Sequence, residues 1–480
     1  MPAISADAGR IIGRCHANCG ASARPGRRSR HTRSRQARRH SDLEYFPSAR
    51  TRVLDRNTAI GGTACGRANQ RSLKTHLAHS RRFIITLGLL TAIAALTVDL
   101  SLPAIPAMVD ALNTSLSHAQ QIVGIFMLGM SVGQIPSGLA SDRFGRLPTI
   151  YAGMGLFVTA ACVAAIANDI EVLLAARFVQ GIGAASAIVI SRAVVRDIAT
   201  GKDAARLMSL MTMIFTAAPV IAPSIGALLV AHWNWRAPFI VIAASGFALL
   251  FAVRSNLEET HTPDASQHPL RQLSFSFREF FSHRQSVFGL LLLIVAPAGH
   301  MSVIAVSAAL TVGIYGYSIT QYGMIFACAG LSILAGSITN RWLIVRYDVV
   351  QLVTLGVALI FTSSAQLVII AWLDSAPFWW VWSCVCLYMF AIAILMPNTT
   401  VLALDPLPRI AGVASSIIGT TQNVLGASGA ILGALIYNGT IRNTVIIMAT
   451  TGTVTACVFL LRPLIVSELK LHQREELARN

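Results

Sequence analysis

The chain is dominated by long apolar segments separated by short polar ones. About 20 mostly apolar residues are enough for one helix to cross a membrane. No charge occurs between Arg284 and Arg341, and the Gly-containing turn GIYGYS (313–318) divides this run into two spans. The pattern predicts an all-α integral membrane protein with twelve transmembrane helices, at 83–105, 120–141, 148–167, 172–194, 207–231, 237–253, 286–309, 320–340, 350–371, 379–403, 410–436 and 443–461.

The composition agrees with a membrane protein, and the charge is unevenly distributed. Hydrophobic residues make up 54% of the 480 residues and charged residues 12%, against about 25% charged in soluble domains. Residues 1–82 hold 18 Lys/Arg against 4 Asp/Glu. This basic extension is poor in aliphatic residues, so we expect it to be disordered. Because the residues after position 82 are nearly neutral, we expect the protein to contact membrane lipid and not to bind nucleic acid.

The basic residues predict the orientation of the spans. Even without the basic extension, seventeen Lys/Arg fall in the inner loops and the C-terminal tail, on the N-terminal side of the membrane, and only Arg236 and Arg442 fall in the opposite loops. Loops rich in Lys and Arg remain in the cytoplasm. We therefore expect both termini to be cytoplasmic. Arg177 is the exception, because it lies within the fourth span.

The longest loop divides the twelve spans into two sets of six. It covers residues 254–285 and carries the mixed charges of NLEETHTPDASQHPLRQ. We predict an N-terminal half at 83–253, a cytoplasmic linker at 254–285, a C-terminal half at 286–463 and a cytoplasmic tail at 464–480.

Short internal repeats support this division. GLASDR (138–143) follows the second span, and GSITNR (336–341) follows the eighth. PSIGALL (223–229) lies in the fifth span, and AILGALI (430–436) lies in the eleventh. Two similar six-helix halves are typical of alternating-access transporters with a site at their interface.

Two charged side chains lie at membrane depth. Asp99 opens the sequence DLSLPAIP (99–106). A carboxylate withdrawn from water binds a proton more readily, so Asp99 is a candidate proton-coupling group. The alternative is that Asp99 caps a helix that breaks at Pro103 and Pro106. Arg177 either faces the bundle interior and finds an acceptor or extends to the membrane surface.

The sequence GLASDRFGR (138–146) is a second candidate site, at a tight inner loop between two helices. Glycines permit a sharp turn there, and acidic and basic side chains can pair across the corner or with a neighbouring helix end. The alternative is a solvated turn that only signals topology. The candidate residues of this conformational-switch loop are Gly138, Asp142, Arg143, Gly145 and Arg146.

Other polar or small residues predict a packed interface and a polar cavity. Small residues in the fifth span allow helices to approach closely, and its prolines bend the helix. The interface candidates are Pro219, Pro223 and Gly226, and the cavity candidates are Gln134, Gln422 and Asn423. His300 is isolated on the seventh span. It is either a structural histidine that is hydrogen-bonded or a proton carrier.

Several classes of protein are not supported. The sequence has no GxxxxGK[ST] phosphate-binding loop and no HExxH zinc signature. Asp99, Arg177 and His300 do not form a cluster of nucleophile, base or metal ligands. We therefore expect no ATP-driven transport, no enzyme activity, no metal and no cofactor.

The motifs resemble those of a known family. GLASDRFGR is similar to the loop motif between helices two and three of the major facilitator superfamily. RFVQGIGAAS (177–186) and APVIAPSIGALL (218–229) resemble the fourth- and fifth-helix motifs of its drug:proton antiporters. With DLSLPAIP and ALDPLPRIAGVASSIIG (403–419), the set resembles the Bcr/CflA-type multidrug exporters over roughly residues 83–463.

This resemblance implies a fold and a function. It implies the major facilitator fold, with the fifth helix at the contact between the halves and Arg177 assisting proton relay. It also implies a monomer in the bacterial inner membrane that exports small organic molecules in exchange for protons. A proton-coupled symporter or exporter of one metabolite, such as a sugar or amino-acid derivative, is the alternative.

Overall fold

The computed structural model describes residues 81–199, 201–261, 269–373, 376–407 and 410–462. The extension predicted at 1–82 lies outside these ranges apart from its last two residues, and the tail at 464–480 lies outside them entirely. The first half consists of α1 (Arg81–Ser101), α2 (Ile105–Ala111), α3 (Leu116–Phe144), α4 (Arg146–Ile166), α5 (Ile170–Ile198), α6 (Gly201–His232) and α7 (Ala237–Asn256).

A further helix and the second half follow. The linker contains α8 (Pro269–Ser282). The second half consists of α9 (Arg284–Ala308), α10 (Ile319–Leu343), α11 (Val349–Trp372), α12 (Phe378–Leu404), α13 (Ala411–Ile436) and α14 (Ile441–Leu460). A π-helical segment, Ala309–Ile314, extends α9, and α10 begins after a capping box formed by Ser318 and Gln321. The chain therefore breaks at GIYGYS, as the sequence predicts.

The predicted fold class is confirmed, with a helix at each of the twelve predicted spans. Among the described residues, 11 helices are long and apolar enough to cross a membrane. The helix outside that set is α13, at the predicted eleventh span. It has 26 residues, so its length suffices. Its TTQN sequence at 420–423 makes it more polar than the other spans.

The first span breaks where its two prolines predict. α1 ends at Ser101, a 3₁₀ turn covers Leu102–Ala104, and α2 begins at Ile105. Pro103 lies in the first turn of the 3₁₀ segment and Pro106 in the first turn of α2. A helix tolerates proline there because the first N–H groups have no partner within the helix.

The linker contains a helix that the sequence analysis did not predict. Its aromatic residues Phe277, Phe280 and Phe281 recur three to four positions apart, which places them on one side of a helix. Phe280 is fully buried in a cluster that includes Leu293 of α9 and Ile417 of α13. Phe277 is partly buried against the same cluster and Phe281 is exposed, so Phe280 is the main contact that stabilises α8 against the second half.

Equivalent helices make equivalent contacts in the two halves. Here the helices of each half are counted as membrane spans, which leaves out the short α2. In each half the first helix packs against the fourth, fifth and sixth, and the fourth packs against the second and third. The repeated sequences in the fifth helices also have equivalent positions. Gly226 of α6 lies against the backbone carbonyl of Leu100, and Gly433 of α13 lies against that of Ser302. Both are residues of the first helix of their own half, so the repeat is structural.

Two helix pairs make most of the contacts between the halves among the described residues. α3 packs against α13, and α6 packs against α10, so the second helix of each half contacts the fifth helix of the other. On the first interface Thr420 Oγ1 donates to Gln134 Oε1 at 3.2 Å. On the second, Ser224 Oγ donates to the Gly323 carbonyl at 3.1 Å. The prediction that α6 lies at the contact between the halves agrees with this geometry.

Close backbone contact also holds helices together within a half, and this generates a prediction. Gly129 of α3 lies directly against the Phe178 carbonyl of α5. We expect Gly129→Val to push α3 and α5 apart and to lower the amount of folded protein, because backbone atoms cannot move aside as a flexible side chain can. The measurement is the monodisperse fraction on size-exclusion chromatography after detergent extraction.

Gly155 provides the matched control for this substitution. It lies on α4 and has no atom within 4 Å of an added Cβ. Gly155→Val should therefore give wild-type yield. Equal losses for the two variants would show that valine itself, and not the close contact, is responsible.

Candidate functional site

Asp99 is a buried carboxylate. It lies on α1, two residues before the helix ends, and its residue surface is 5% exposed. It makes no hydrogen bond or ion pair with any described residue. The 3₁₀ turn that follows has no side-chain cap. Asp99 therefore does not cap the broken helix, which was the alternative to a proton-coupling role.

Arg177 is fully buried on α5 and does not extend to the membrane surface. Its Nε donates to the Ile122 carbonyl at 3.3 Å, and its Nη1 donates to Gln180 Oε1 at 2.9 Å. The guanidinium carbon lies 4.5 Å from the centroid of the Phe126 ring, a favourable cation–π distance. Arg177 Nη2 has no hydrogen-bond partner among the described residues.

Asp99 and Arg177 do not pair in this structure. Their helices α1 and α5 are in contact, but no ion pair joins the two side chains. Arg177 binds a carbonyl, an amide and an aromatic ring on α3 and α5 instead. Arg177 therefore does not neutralise the Asp99 carboxylate in this structure.

A sharp corner between α3 and α4 builds the second candidate site. Gly145 has a φ of 102°, which residues with a side chain rarely adopt. The turn brings Arg146 Nη1 to 2.6 Å from Asp142 Oδ1. Arg146 Nε also lies 2.9 Å from Asp197 Oδ2 at the end of α5. One guanidinium thus joins the predicted loop to a third helix.

The start of the linker folds back onto this corner. Glu259 accepts hydrogen bonds from the backbone N–H groups of Arg146 and Leu147, both at 2.9 Å. Thr260 Oγ1 donates to Asp197 Oδ2 at 3.1 Å. The first N–H groups of a helix lack partners within it, and their positive end attracts a carboxylate. Glu259 therefore binds the linker to the N-terminus of α4.

Sequence reasoning found part of this network. Asp142, Gly145 and Arg146 come together as predicted. Arg143 is exposed and stacks over Phe144 at 5.4 Å, and Gly138 lies in ordinary contact with Val189. The residues that the sequence analysis missed are Asp197, Glu259 and Thr260. Asp197 and Glu259 are acidic residues in basic inner loops, which is the signal the sequence offers for them, and Thr260 has no such signal.

The remaining candidates lie mainly at the contact between the halves. Gly330 and Gly323 of α10 lie against the carbonyls of Pro219 and Pro223. Gln134 is buried at the α3–α13 contact. The two remaining cavity candidates, Gln422 and Asn423, are half-buried on α13. His300 is also buried, and its Nε2 has no hydrogen-bond partner within the described ranges.

Two halves of six membrane-spanning helices with equivalent contacts are typical of alternating-access transporters. The Major Facilitator Superfamily family model matches residues 87–430. The chain belongs to this superfamily, and it is a multi-pass membrane transporter of small molecules.

Curated relatives cover most of the chain. A "Bicyclomycin resistance protein homolog" of Haemophilus influenzae is 29% identical over 74% of this chain and 88% of its own length. "Multidrug resistance protein D" of Escherichia coli is 29% identical over the same shares. These relatives confirm the resemblance to Bcr/CflA-type exporters.

Solved structures share the fold at low sequence identity. A D-xylose–proton symporter matches with a TM-score of 0.64 at 16% identity, over 79% of this chain and 97% of that one. A peptide transporter matches with a TM-score of 0.66 at 14% identity, over 82% and 98%. At these identities the likeness is one of fold.

The geometry of the inner corner predicts the effect of Glu259→Gln. An amide offers one acceptor where the carboxylate offers two, and it brings an N–H group against a backbone N–H. We expect the free energy of unfolding to fall by about 0.5–2 kcal/mol, the range for losing a helix N-cap. Thermal unfolding of the purified protein in detergent measures this change.

Glu258 is the matched control for Glu259. It is the preceding residue, it is exposed, and it makes no hydrogen bond to a described residue. Glu258→Gln removes the same charge and should leave the unfolding temperature unchanged. A similar fall in both variants would mean that net charge, and not the contact with α4, controls stability.

Proposed function

We propose that this transporter exports drug-like small organic molecules in exchange for protons, and that Asp99 carries the proton. The names of the two curated relatives support drug export. The observation that carries the proton assignment is the burial of Asp99 with no ion pair and no hydrogen bond to any described residue. A carboxylate in such a place is expensive to ionise, so proton binding and release change the stability of the surrounding packing.

Coupling follows from that free-energy cost. The neutral acid is compatible with the close packing of α1 against α6 around Leu100 and Gly226. Loss of the proton leaves an uncompensated charge there and favours an arrangement in which Asp99 is hydrated. A proton therefore favours one arrangement of the halves, and an organic substrate that takes its place favours the other.

The halves move as units around the α3–α13 and α6–α10 interfaces. Glycines on α10 and small residues on α6 provide a smooth contact along which two helices can change their angle. The Arg146 network holds the inner corner of the first half as one rigid piece. Arg177 keeps α3 and α5 together and assists the relay through its Nη2, which has no hydrogen-bond partner among the described residues.

The placement of basic residues supports the proposed orientation. Both termini lie in the cytoplasm, and the membrane is the bacterial inner membrane. Asp99 then lies toward the periplasmic end of α1, where external protons reach it when the halves open outward. One chain contains both halves of the pathway, so the transporter acts as a monomer.

The central test replaces Asp99 by asparagine. We expect Asp99→Asn to reduce proton-driven substrate uptake into inverted membrane vesicles to the level of vesicles without the protein, because the amide cannot bind and release a proton. Asp110→Asn, an exposed aspartate on α2, should retain wild-type uptake. Full uptake by Asp99→Asn at equal protein level would refute the assignment.

The direction and class of substrate need a separate experiment. Cells expressing the protein are loaded with members of a panel of antibiotics, dyes and metabolites, and efflux is followed with and without a proton uncoupler. Uncoupler-sensitive efflux of several unrelated compounds supports a multidrug exporter. Inward accumulation of a single metabolite supports the alternative of a symporter.

A further inference from the structure

The linker helix α8 lies at the surface of the membrane. It has 14 residues, fewer than the number of about 20 that a helix needs to cross a bilayer. α8 ends at Ser282, and the membrane-spanning helix α9 begins at Arg284. Because a single residue separates the two helices, the end of α8 is held where α9 enters the membrane.

One side of α8 is fixed to the second half. Phe280 is fully buried in a cluster with Leu293 of α9 and Ile417 of α13. Phe277 is partly buried against the same cluster, and its ring stacks on that of Phe281 with the centroids 6.3 Å apart. These contacts determine which side of the helix faces away from the second half.

The opposite side of α8 combines aromatic and basic side chains. Phe275, Arg278 and Phe281 follow one another at intervals of three residues, so they are neighbours along the helix surface. We call these three residues the exposed face of α8. Phe275 is 65% exposed and Phe281 is 52% exposed. Arg278 is exposed as well, and it makes no hydrogen bond or ion pair with a described residue.

The charge of this segment favours an anionic partner. Residues 269–284 contain three arginines and one glutamate. A helix at the membrane interface inserts its apolar side chains below the headgroups, while its basic side chains attract anionic lipid. The extension at 1–82 holds 18 Lys/Arg against 4 Asp/Glu. Repulsion between like charges therefore opposes binding of that extension to the exposed face.

We propose that the exposed face of α8 binds anionic phospholipid in the membrane leaflet on the side of the linker. Phe275 and Phe281 insert below the headgroups, and Arg278 binds a lipid phosphate. In the orientation proposed above, this is the cytoplasmic leaflet. The bilayer and the second half then hold α8 from opposite sides.

The lipid contact lies close to an interface between the halves. The cluster around Phe280 includes Ile418 of α13, which is two residues before Thr420. Thr420 donates to Gln134 of the first half. Lipid bound to α8 therefore supports the first turns of a helix that joins the two halves.

Hydrogen–deuterium exchange of the full-length protein tests this contact. The protein is placed in nanodiscs of phosphatidylcholine alone or of an equal mixture of phosphatidylcholine and phosphatidylglycerol, and a third sample stays in detergent. We expect the amides of residues 269–284 to exchange fastest in detergent and slowest in the anionic nanodiscs, because bound lipid opposes local opening of the helix.

Two substitutions separate the charge from the aromatic contact. Arg278→Gln should reduce the difference between the two lipids about fivefold, which is the contribution of one basic side chain near an anionic surface. It should keep the protection that neutral lipid provides. Phe275→Ser should speed exchange in both kinds of nanodisc, because it removes an apolar side chain from the bilayer.

Arg346 and Phe251 provide the matched controls. Both are exposed and lie outside α8. Arg346→Gln removes one positive charge, and Phe251→Ser removes one exposed aromatic ring. Neither should change exchange at 269–284. An effect of Arg346→Gln as large as that of Arg278→Gln would overturn the contact, because net charge would then explain the response to lipid.

The remaining outcomes decide between lipid and protein as the partner. Slow exchange that requires phosphatidylglycerol and Arg278 supports the proposed contact. Equal exchange in the two kinds of nanodisc overturns the preference for anionic lipid. Equal protection in detergent overturns the lipid contact altogether, because protein would then cover the exposed face. Transport by Asp99→Asn does not enter this measurement, so the proposed function and the lipid contact can fail separately.

Discussion

Direct contact between helix backbones is the constraint on which this structure depends. Lipid tails are as apolar as leucine side chains, so helices in a membrane gain little from burying apolar surface against each other. They associate through close packing, and glycine permits the closest approach. Gly226 and Gly433 hold the fifth helix of each half against a carbonyl of the first. The two halves repeat the same arrangement because the same residue type stands at the same place.

Where helices pack this closely, ionisation of a buried carboxylate has a large effect on the stability of the packing. Asp99 is buried beside the Leu100–Gly226 contact, and no cation among the described residues pairs with its carboxylate. In the proposed mechanism, the free energy of that contact depends on one proton. The α6 helix also contacts α10 through Ser224 and Gly323, so a change at Asp99 reaches the second half across one helix diameter. This geometry supports coupling over a short distance.

The inner corner works by a different principle. It is polar and closer to water, and charge-assisted hydrogen bonds hold it together. Arg146 joins Asp142 and Asp197, while Glu259 binds the N-terminus of α4. The linker that connects the halves is thus fastened to the first half at its origin. A movement of that half carries the start of the linker with it.

The sequence by itself determined the fold class, the spans and the helix break at Pro103, and it singled out Asp99 and Arg146 as candidates. Such features are local, because hydrophobic length, proline chemistry and a charge at membrane depth can be recognised in a short segment. Only the tertiary structure showed which residues contact each other across different helices. It showed that Arg177 binds Ile122 and Gln180, that Glu259 returns to α4, and that Thr420 bonds to Gln134 across the two halves. These partners lie on different helices, and their distances depend on helix rotation and backbone approach, which no single segment encodes.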